Sequence, residues 1–300
     1  DEASMLDLRL AAALVRAIPP QAHLLLVGDA DQLPSVGSGN VLKDLIDSKL
    51  LTVTRLEVTF RQAENSGIVG LAHGILEGKA STPPPIDHPS ALDPRHDVHF
   101  VRANTPEDCV KAITLLCREV LPKKFSVDVR TQVQVLAPLH RGIGGIGNLN
   151  DQIRDAINPT GATQVMGPFL FREGDKVIQT RNNYDKDVFN GDMGIVDAVD
   201  TLNGKVEIVF DDRRIVYERM EVTDLQPAYA ISVHKSQGSE YPVIIFPLLK
   251  QHFMMLQRNL VYTGLTRAKK KVVFVGEPAA YAMAIRNDKT LVRQTDLVRK

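Results

Sequence analysis

The chain has 300 residues, of which 44% are apolar and 24% charged, a composition typical of a globular protein of about two domains. Its 36 basic and 36 acidic residues balance, so any contact with nucleic acid must come from local patches. Cys109 and Cys117 lack metal-ligand spacing and suit a reducing compartment. No apolar run approaches the roughly 18 residues of a membrane span, and the first residues lack the order of a signal peptide. We therefore expect a soluble cytoplasmic protein.

The first 79 residues alternate between helix and strand patterns. In "SMLDLRLAAALVRAIPP", Met5, Leu8, Ala12 and Val15 share one helical face. The next apolar run, "AHLLLVG", predicts a buried strand that ends at Gly28 and leads into a polar loop. Further on, "NVLKDLID" and "NSGIVGLAHGILEGK" predict helices, and "LTVTRLEVTFRQ" predicts a strand. This alternation is typical of a parallel sheet flanked by helices.

The rest of the chain predicts a second α/β unit with an insertion. Residues 80–97 are rich in Pro, Asp and Ser and predict a linker. Strand and helix patterns alternate again over 98–168 and return over 226–300. Between them, residues 169–225 carry short strand patterns separated by Gly and Asp turn signals, which indicate a small antiparallel barrel. We therefore expect residues 1–79 and the outer two segments to form two α/β domains.

The chain opens on "DEAS", where two acidic residues are adjacent. Phosphoryl transfer to water needs Mg²⁺ and a group that orients the attacking water. At the end of a strand, Asp1 could hold the metal while Glu2 positions the water. The alternative is a helix N-terminus, where acidic residues favour the helix dipole. On these four residues alone, that alternative is the better supported.

The loop "GDADQLPSVGSG" follows the predicted strand. It would place Asp29, Asp31 and Gln32 at the carboxyl edge of the sheet, where open α/β sheets bind ligands. A glutamine there can sense a γ-phosphate through a hydrogen bond without adding charge. A surface turn explains the same residues equally well.

Two later stretches combine polar and basic residues. "YAISVHKSQGSEYP" is a compact polar segment whose hydroxyls, amides and lysine suit a phosphate-bearing ligand. "NLVYTGLTRAKKKVVFVG" places Arg267 just before a buried strand, from which an arginine can reach a developing phosphate charge. Arg61 in "VTFRQ" allows the same interpretation. For both arginines, the alternative is an ordinary surface cation.

Taken in order, DEAS, GDADQLP, TFRQ, APLHRG, YAISVHKSQGSEY and VYTGLTRAKK resemble motifs II to VI of the superfamily 1 DNA helicases. The resemblance covers nearly the whole chain and is closest to the stand-alone, RecD-like members of the 1B branch. It implies two RecA-like P-loop helicase domains, the first of them truncated, with an SH3-like barrel inserted in the second. The nearest rival within the superfamily is the helicase half of a conjugative relaxase, which shares the "KSQGSEY" core.

The resemblance also implies residue roles. Asp1 corresponds to the metal ligand. The residues expected to act in catalysis are Glu2, Gln32, Arg61 and Arg267. Those expected to bind the nucleotide are Asp29, Gln237, Gly238 and Glu240. Those expected to contact DNA are Pro34, His140, Arg141, Arg181, Asn182, His234, Lys235, Ser236, Thr263 and Thr266.

The chain departs from this family in one respect. Helicases of this kind need a G-x-x-x-x-G-K-[ST] loop to cradle the phosphates, and these 300 residues contain none. We therefore expect the C-terminal portion of a longer ATP-dependent 5′→3′ helicase, beginning at motif II and hydrolysing little ATP alone. The implied cofactors are ATP and Mg²⁺. The implied partner is single-stranded DNA or a duplex junction, engaged by a monomer.

Two alternatives from other classes remain open at this point. The chain could be a non-catalytic module that binds single-stranded DNA, derived from a helicase. It could also be an α/β hydrolase or transferase unrelated to helicases, although it lacks a nucleophile elbow. Salt-dependent binding of single-stranded DNA would separate the helicase-derived alternatives from the unrelated enzyme.

Overall fold

The computed structural model describes residues 1–56, 66–166 and 169–288. Its helices are α1 (Leu8–Ala17), α2 (Val41–Ser48), α3 (Gly67–Leu76), α4 (Pro106–Leu115), α5 (Leu121–Phe125), α6 (Val129–Gln132), α7 (Ile146–Ile157), α8 (Arg258–Thr266) and α9 (Pro278–Arg286). Its strands are β1 (Pro85–Ile86), β2 (Val98–Arg102), β3 (Val133–Ala137), β4 (Thr163–Met166), β5 (Phe169–Arg172), β6 (Lys176–Gln179), β7 (Met193–Asp200), β8 (Lys205–Phe210), β9 (Arg213–Tyr217), β10 (Leu225–Pro227), β11 (Ala230–Ser232), β12 (Tyr241–Leu248) and β13 (Ala268–Gly276). No helix among the described residues is long and apolar enough to cross a membrane.

A parallel sheet forms the centre of the larger unit, in the order β1-β2-β13-β12-β3-β11. Successive residues of β12 face opposite sides: Ile244 and Phe246 join one buried cluster, while Val243 and Ile245 join another. Helices cover both faces, so the strands are near-continuous apolar runs, as expected of a parallel sheet. Cys109 and Cys117 are buried free thiols in the second cluster.

A second sheet is antiparallel and lies between β5 and β11 in the chain. Its strand order is β10-β6-β7-β8-β9, and β4 pairs with β5 beside it. Burial alternates along β8, so that Val206, Ile208 and Phe210 pack in a small hydrophobic core that belongs to this second sheet. The inserted barrel predicted from short, turn-punctuated strands is therefore confirmed as a fold. Its exact boundaries remain a prediction.

The N-terminal 56 residues differ from their predicted structure. Residues 22–28 and 52–56 form no strand, and Leu24, Leu25 and Val27 are exposed rather than buried. Helix α1 forms, but none of its residues is buried. An apolar run becomes a strand only when a neighbouring strand pairs with it. No strand of the described residues lies beside these two runs.

Candidate active site between the two halves

The first two residues lie beside the loop that follows the unpaired run at 22–28. Ala3 donates its backbone N–H to the carbonyl oxygen of Val27 at 2.9 Å. Gly28 is required there, because a Cβ atom would lie 2.9 Å from the backbone nitrogen of Ala3. Glu2 adopts a left-handed backbone conformation, with φ of 55°. This packing places Glu2 beside the loop that begins at Asp29.

Arg267 lies at the C-terminus of α8 and approaches Glu2 from the other side. We call the residues before the segment 80–97 the first half of the molecule and those after it the second half. Its Nη1 lies 3.9 Å from Oε1 of Glu2, and its side chain is only 7% exposed. Its other contacts are long: 3.4 Å to the carbonyl of Ser239 and 3.5 Å to the hydroxyl of Thr266. Its Nε is buried without a hydrogen-bond partner among the described residues. A guanidinium has five N–H donors, so this enclosed side chain keeps donors that the described residues do not satisfy.

Two hydrogen bonds fasten the backbone of Leu33 to the second half. The Leu33 N–H donates to the hydroxyl of Thr263 at 2.8 Å. The Leu33 carbonyl accepts from Nε2 of Gln237 at 2.8 Å. Thr263 is fully buried and Gln237 nearly so. The loop of Asp29 to Pro34 is thereby tied to both the segment that carries Gln237 and helix α8.

Asp29 links three polar groups at this junction. Its Oδ2 accepts from the hydroxyl of Tyr262 at 2.9 Å and from Nε2 of Gln32 at 3.3 Å, and its Oδ1 accepts from the backbone N–H of Asp31. Burial and the adjacent carboxylate raise the pKa of Tyr262 well above its usual value, so the phenol stays protonated and donates. Burial, followed by the charge of Asp29, also raises the pKa of Asp31.

The segment from His234 to Glu240 forms a tight turn between β11 and β12. Residues His234–Ser236 make a single 3-10 turn, and Gly238 follows with φ of 76°. Lys235 is half-buried, and its ammonium donates to Oε1 of Gln226 in β10 at 3.1 Å. Glu240 lies 3.4 Å from Nζ of Lys269. This turn therefore contacts the barrel on one side and the loop of Leu33 on the other.

Two residues expected to contact DNA have buried side chains in this structure. Ser236 is fully buried, and its hydroxyl donates to the carbonyl of Val233 at 2.7 Å. Thr263 is fully buried against Leu33. Because solvent reaches neither side chain, neither can meet a DNA backbone in this conformation. Thr263 joins the two halves through Leu33, whereas Ser236 stabilises the turn that carries Gln237.

The other residues expected to contact DNA occupy varied positions. His140 and Arg141 are exposed in the loop that follows β3. Arg181 is exposed at the edge of the barrel, 3.7 Å from Asp224, and Asn182 accepts a bond from the backbone of Asn190. The remaining ones, with partly accessible side chains, are Pro34, His234, Lys235 and Thr266. Arg61 lies outside the described residues.

Sequence reasoning missed the part played by Tyr262. Its side chain is half-buried, and its hydroxyl donates a hydrogen bond to Asp29. The two residues are 233 positions apart. No local pattern could have paired them, although both lie next to residues that the motif order singled out.

Three family profiles match this chain. An AAA domain matches residues 1–103, the SH3 domain of ATP-dependent RecD-like DNA helicases matches 149–210, and the C-terminal domain of UvrD-like helicases matches 227–275. The chain is 34% identical over 284 residues to the ATP-dependent RecD2 DNA helicase of Deinococcus radiodurans, covering 95% of this chain and 37% of that protein. Over nearly its whole length, the chain is similar to the RecD-like helicases.

Other comparisons agree with this similarity. The RecBCD enzyme subunit RecD of Mycolicibacterium smegmatis is 30% identical over 304 residues, covering 99% of this chain and 52% of that subunit. The Pif1 helicase of Bacteroides, solved with ADP-AlF3 and single-stranded DNA, superposes with a TM-score of 0.56 at 16% identity, over 91% of this chain and 69% of that one. Pif1 of Candida albicans gives 0.53 at 16% identity, over 94% and 73%. These structures confirm the RecA-like fold.

Proposed function

We propose that this chain belongs to an ATP-dependent helicase that moves 5′→3′ along single-stranded DNA. The observation that carries the proposal is the meeting of Arg267 with Glu2. These residues come from the two halves of the molecule and lie 3.9 Å apart, with the arginine buried. When the two halves close on ATP, the guanidinium of Arg267 would contact the γ-phosphate, and Glu2 would orient the water that attacks it. Hydrolysis would therefore depend on the relative position of the halves.

The residues at the cleft fit ATP and Mg²⁺. Magnesium ions in such sites take one or two protein carboxylates, with the remaining ligands from phosphates and water. Asp1 is exposed, and its Oδ1 accepts a hydrogen bond from the N–H of Glu2 at 2.9 Å. Asp1 would hold the ion, which would neutralise phosphate charge, while Glu2 orients water and Gln32 contacts the γ-phosphate.

The chain spans about a third to a half of the length of the curated relatives described above. Its 300 residues contain no phosphate-binding G-x-x-x-x-G-K-[ST] loop. We therefore assign the activity to the native polypeptide that carries this loop together with these residues. The 300 residues alone should hydrolyse ATP slowly or not at all, because the triphosphate would lose the amides and lysine that cradle it.

Single-stranded DNA would cross the exposed residues that follow β3 and reach the edge of the barrel. His140 and Arg141 are exposed at the carboxyl end of the parallel sheet, and Arg181 at the barrel. Arginines on such a path bind phosphates regardless of sequence. Buried free thiols at Cys109 and Cys117 agree with action in the reducing cytoplasm.

The proposal is tested by ATP hydrolysis in the native polypeptide, with and without oligo(dT). Strand displacement is then compared on duplexes with a 5′ or a 3′ single-stranded tail. We expect DNA to stimulate hydrolysis, a 5′ tail to be required, and Glu2→Gln to abolish turnover. Glu107→Gln is the matched control, because Glu107 is exposed in the first turn of α4. Salt-sensitive DNA binding without turnover would instead identify a non-catalytic DNA-binding module.

A further inference from the structure

Within the described part of the chain, the side chain of Gln32 has one hydrogen-bond partner. Its Nε2 donates to Oδ2 of Asp29 at 3.3 Å, while its Oε1 is buried without a hydrogen-bond partner among the described residues. A primary amide has two N–H donors and one carbonyl acceptor. The bond to Asp29 uses one donor and fixes which end of the amide carries the nitrogen, because a carboxylate can only accept.

That orientation decides whether Gln32 can contact a phosphate. A γ-phosphate is an acceptor, so the amide must present its second N–H and not its carbonyl oxygen. If the amide rotated by half a turn, its carbonyl oxygen would face the carboxylate of Asp29, and neither group could donate a hydrogen bond to the other. The carboxylate of Asp29 therefore holds the amide of Gln32 in the orientation in which its second N–H can donate to a phosphate oxygen.

Asp29 is in turn fixed from the second half of the molecule. The hydroxyl of Tyr262, in the middle of α8, donates to the same Oδ2 at 2.9 Å. Arg267 lies on the same helix region, five residues on. The neighbouring bond from Leu33 to Thr263 holds only the backbone of the loop. Among the contacts described for α8, the one from Tyr262 reaches the carboxylate that orients Gln32.

We propose that Tyr262 is a positioning residue that couples the second half of the cleft to Gln32 through the carboxylate of Asp29. The proposal rests on the proposed function and adds a residue to it. When the halves close, Tyr262 fixes Asp29, and Asp29 presents the amide nitrogen of Gln32 to the γ-phosphate. When they part, Asp29 loses this donor and Gln32 loses its fixed orientation. Nucleotide sensing then depends on closure as well as on phosphate binding.

The first test is Tyr262→Phe in the native polypeptide, which removes the hydroxyl and keeps the ring. We expect kcat for DNA-stimulated ATP hydrolysis to fall about tenfold, as for the loss of one hydrogen bond to a charged acceptor. The KM for ATP should change by less than about twofold, since Tyr262 does not bind the ground-state nucleotide. Tyr281→Phe is the matched control: the hydroxyl of Tyr281 is buried in α9 with no partner among the described residues. It should leave kcat unchanged.

The second test separates positioning from general support of the fold. In a Gln32→Ala background, Tyr262→Phe should cost no further activity, because the group that it positions is gone. Equal losses in both backgrounds would overturn the proposal, as would an unchanged kcat in Tyr262→Phe alone. If the parent polypeptide shows no DNA-stimulated hydrolysis, the proposed function itself fails. If the parent is active and Tyr262→Phe matches it, only the role of Tyr262 fails.

Discussion

Arg267 is buried without a short hydrogen bond from its side chain to any residue that the structure describes, and that arrangement is costly in a resting protein. Its side chain is 7% exposed, and the nearest carboxylate oxygen of Glu2 lies 3.9 Å away. Enclosing a guanidinium with incomplete partners destabilises a fold. A phosphate in the cleft would supply the missing acceptors, and the charge that develops on it during transfer would bind the guanidinium most tightly.

We therefore predict that Arg267→Ala lowers kcat for ATP hydrolysis about a thousandfold, since arginines in this position contribute about 10³ to 10⁵ to phosphoryl transfer. The measurement is steady-state hydrolysis in the native polypeptide with saturating oligo(dT). Arg286→Ala, at an exposed position in the last turn of α9, should leave the rate unchanged. A variant that only changed the melting temperature, with the parental kcat, would show that Arg267 has a purely structural role.

Gly276 ends β13 in a backbone conformation that other residues rarely adopt. Its φ is 147°, and a Cβ atom built on it would overlap the carbonyl group of Leu248 in the neighbouring strand. We predict that Gly276→Ala lowers the free energy of unfolding by about 2 kcal/mol or more. Gly70→Ala is the opposite case: it lies in α3 with open space around it and should raise stability by about 0.5–1 kcal/mol. Urea denaturation of both variants checks the pair.

At the scale of elements, the barrel joins the parallel sheet through a buried lysine. Lys176 begins β6, is 3% exposed, and donates to the carbonyl of Val133 at 3.0 Å and to Oε1 of Gln134 at 2.8 Å. Gln134 in turn donates to the carbonyl of Ala228, next to β11. The ammonium thus ties β6 of the barrel to β3 of the sheet. Burial lowers the pKa of Lys176 to about 7.

This shift predicts how stability depends on pH. Between pH 7 and the ordinary lysine pKa of 10.5, the unfolded chain binds a proton at Lys176 that the folded chain does not. The free energy of unfolding therefore gains a contribution that rises with pH across this window. Urea unfolding at several pH values should show this rise in the parent and its loss in Lys176→Met. Lys205→Met, at an exposed position, should keep the parental slope, and a parental slope in Lys176→Met would contradict the prediction.

The elements of the second half could be predicted from the sequence because their signals are local. The apolar run of β12, the turn residues around β7 and β8, and the cap of α4 by Thr105 each act within a few residues. The strand predicted at 22–28 failed because its formation depends on neighbours elsewhere in the chain. Leu33 contacts Thr263, and Tyr262 contacts Asp29, across the two halves. Local sequence patterns could not predict these contacts, since they join residues more than 200 positions apart. Only the order of the motifs pointed to that edge.

For the molecule as a whole, the balance of 36 basic and 36 acidic residues means that DNA is not attracted by net charge. Binding must then depend on where unpaired cations lie. Arg141 follows β3 at the carboxyl end of the sheet, is exposed, and forms no ion pair with another described residue. Arg95 precedes β2 at the opposite end, where Asp93 accepts from its Nε and its Nη2. Both arginines are exposed, but they differ in position and in pairing.

We predict that Arg141→Gln weakens the binding of oligo(dT) and lowers the slope of log K against log salt concentration by about one, because one phosphate contact releases about one counterion. Arg95→Gln should change neither quantity, since its charge is already neutralised by Asp93 and lies away from the proposed DNA path. Fluorescence anisotropy across a KCl series in the native polypeptide measures both variants. Equal slopes for Arg141→Gln and the parent would place the DNA elsewhere on the molecule. A reduced slope for Arg95→Gln would mean that DNA follows the amino end of the sheet, and would require a different assignment of the DNA-binding surface.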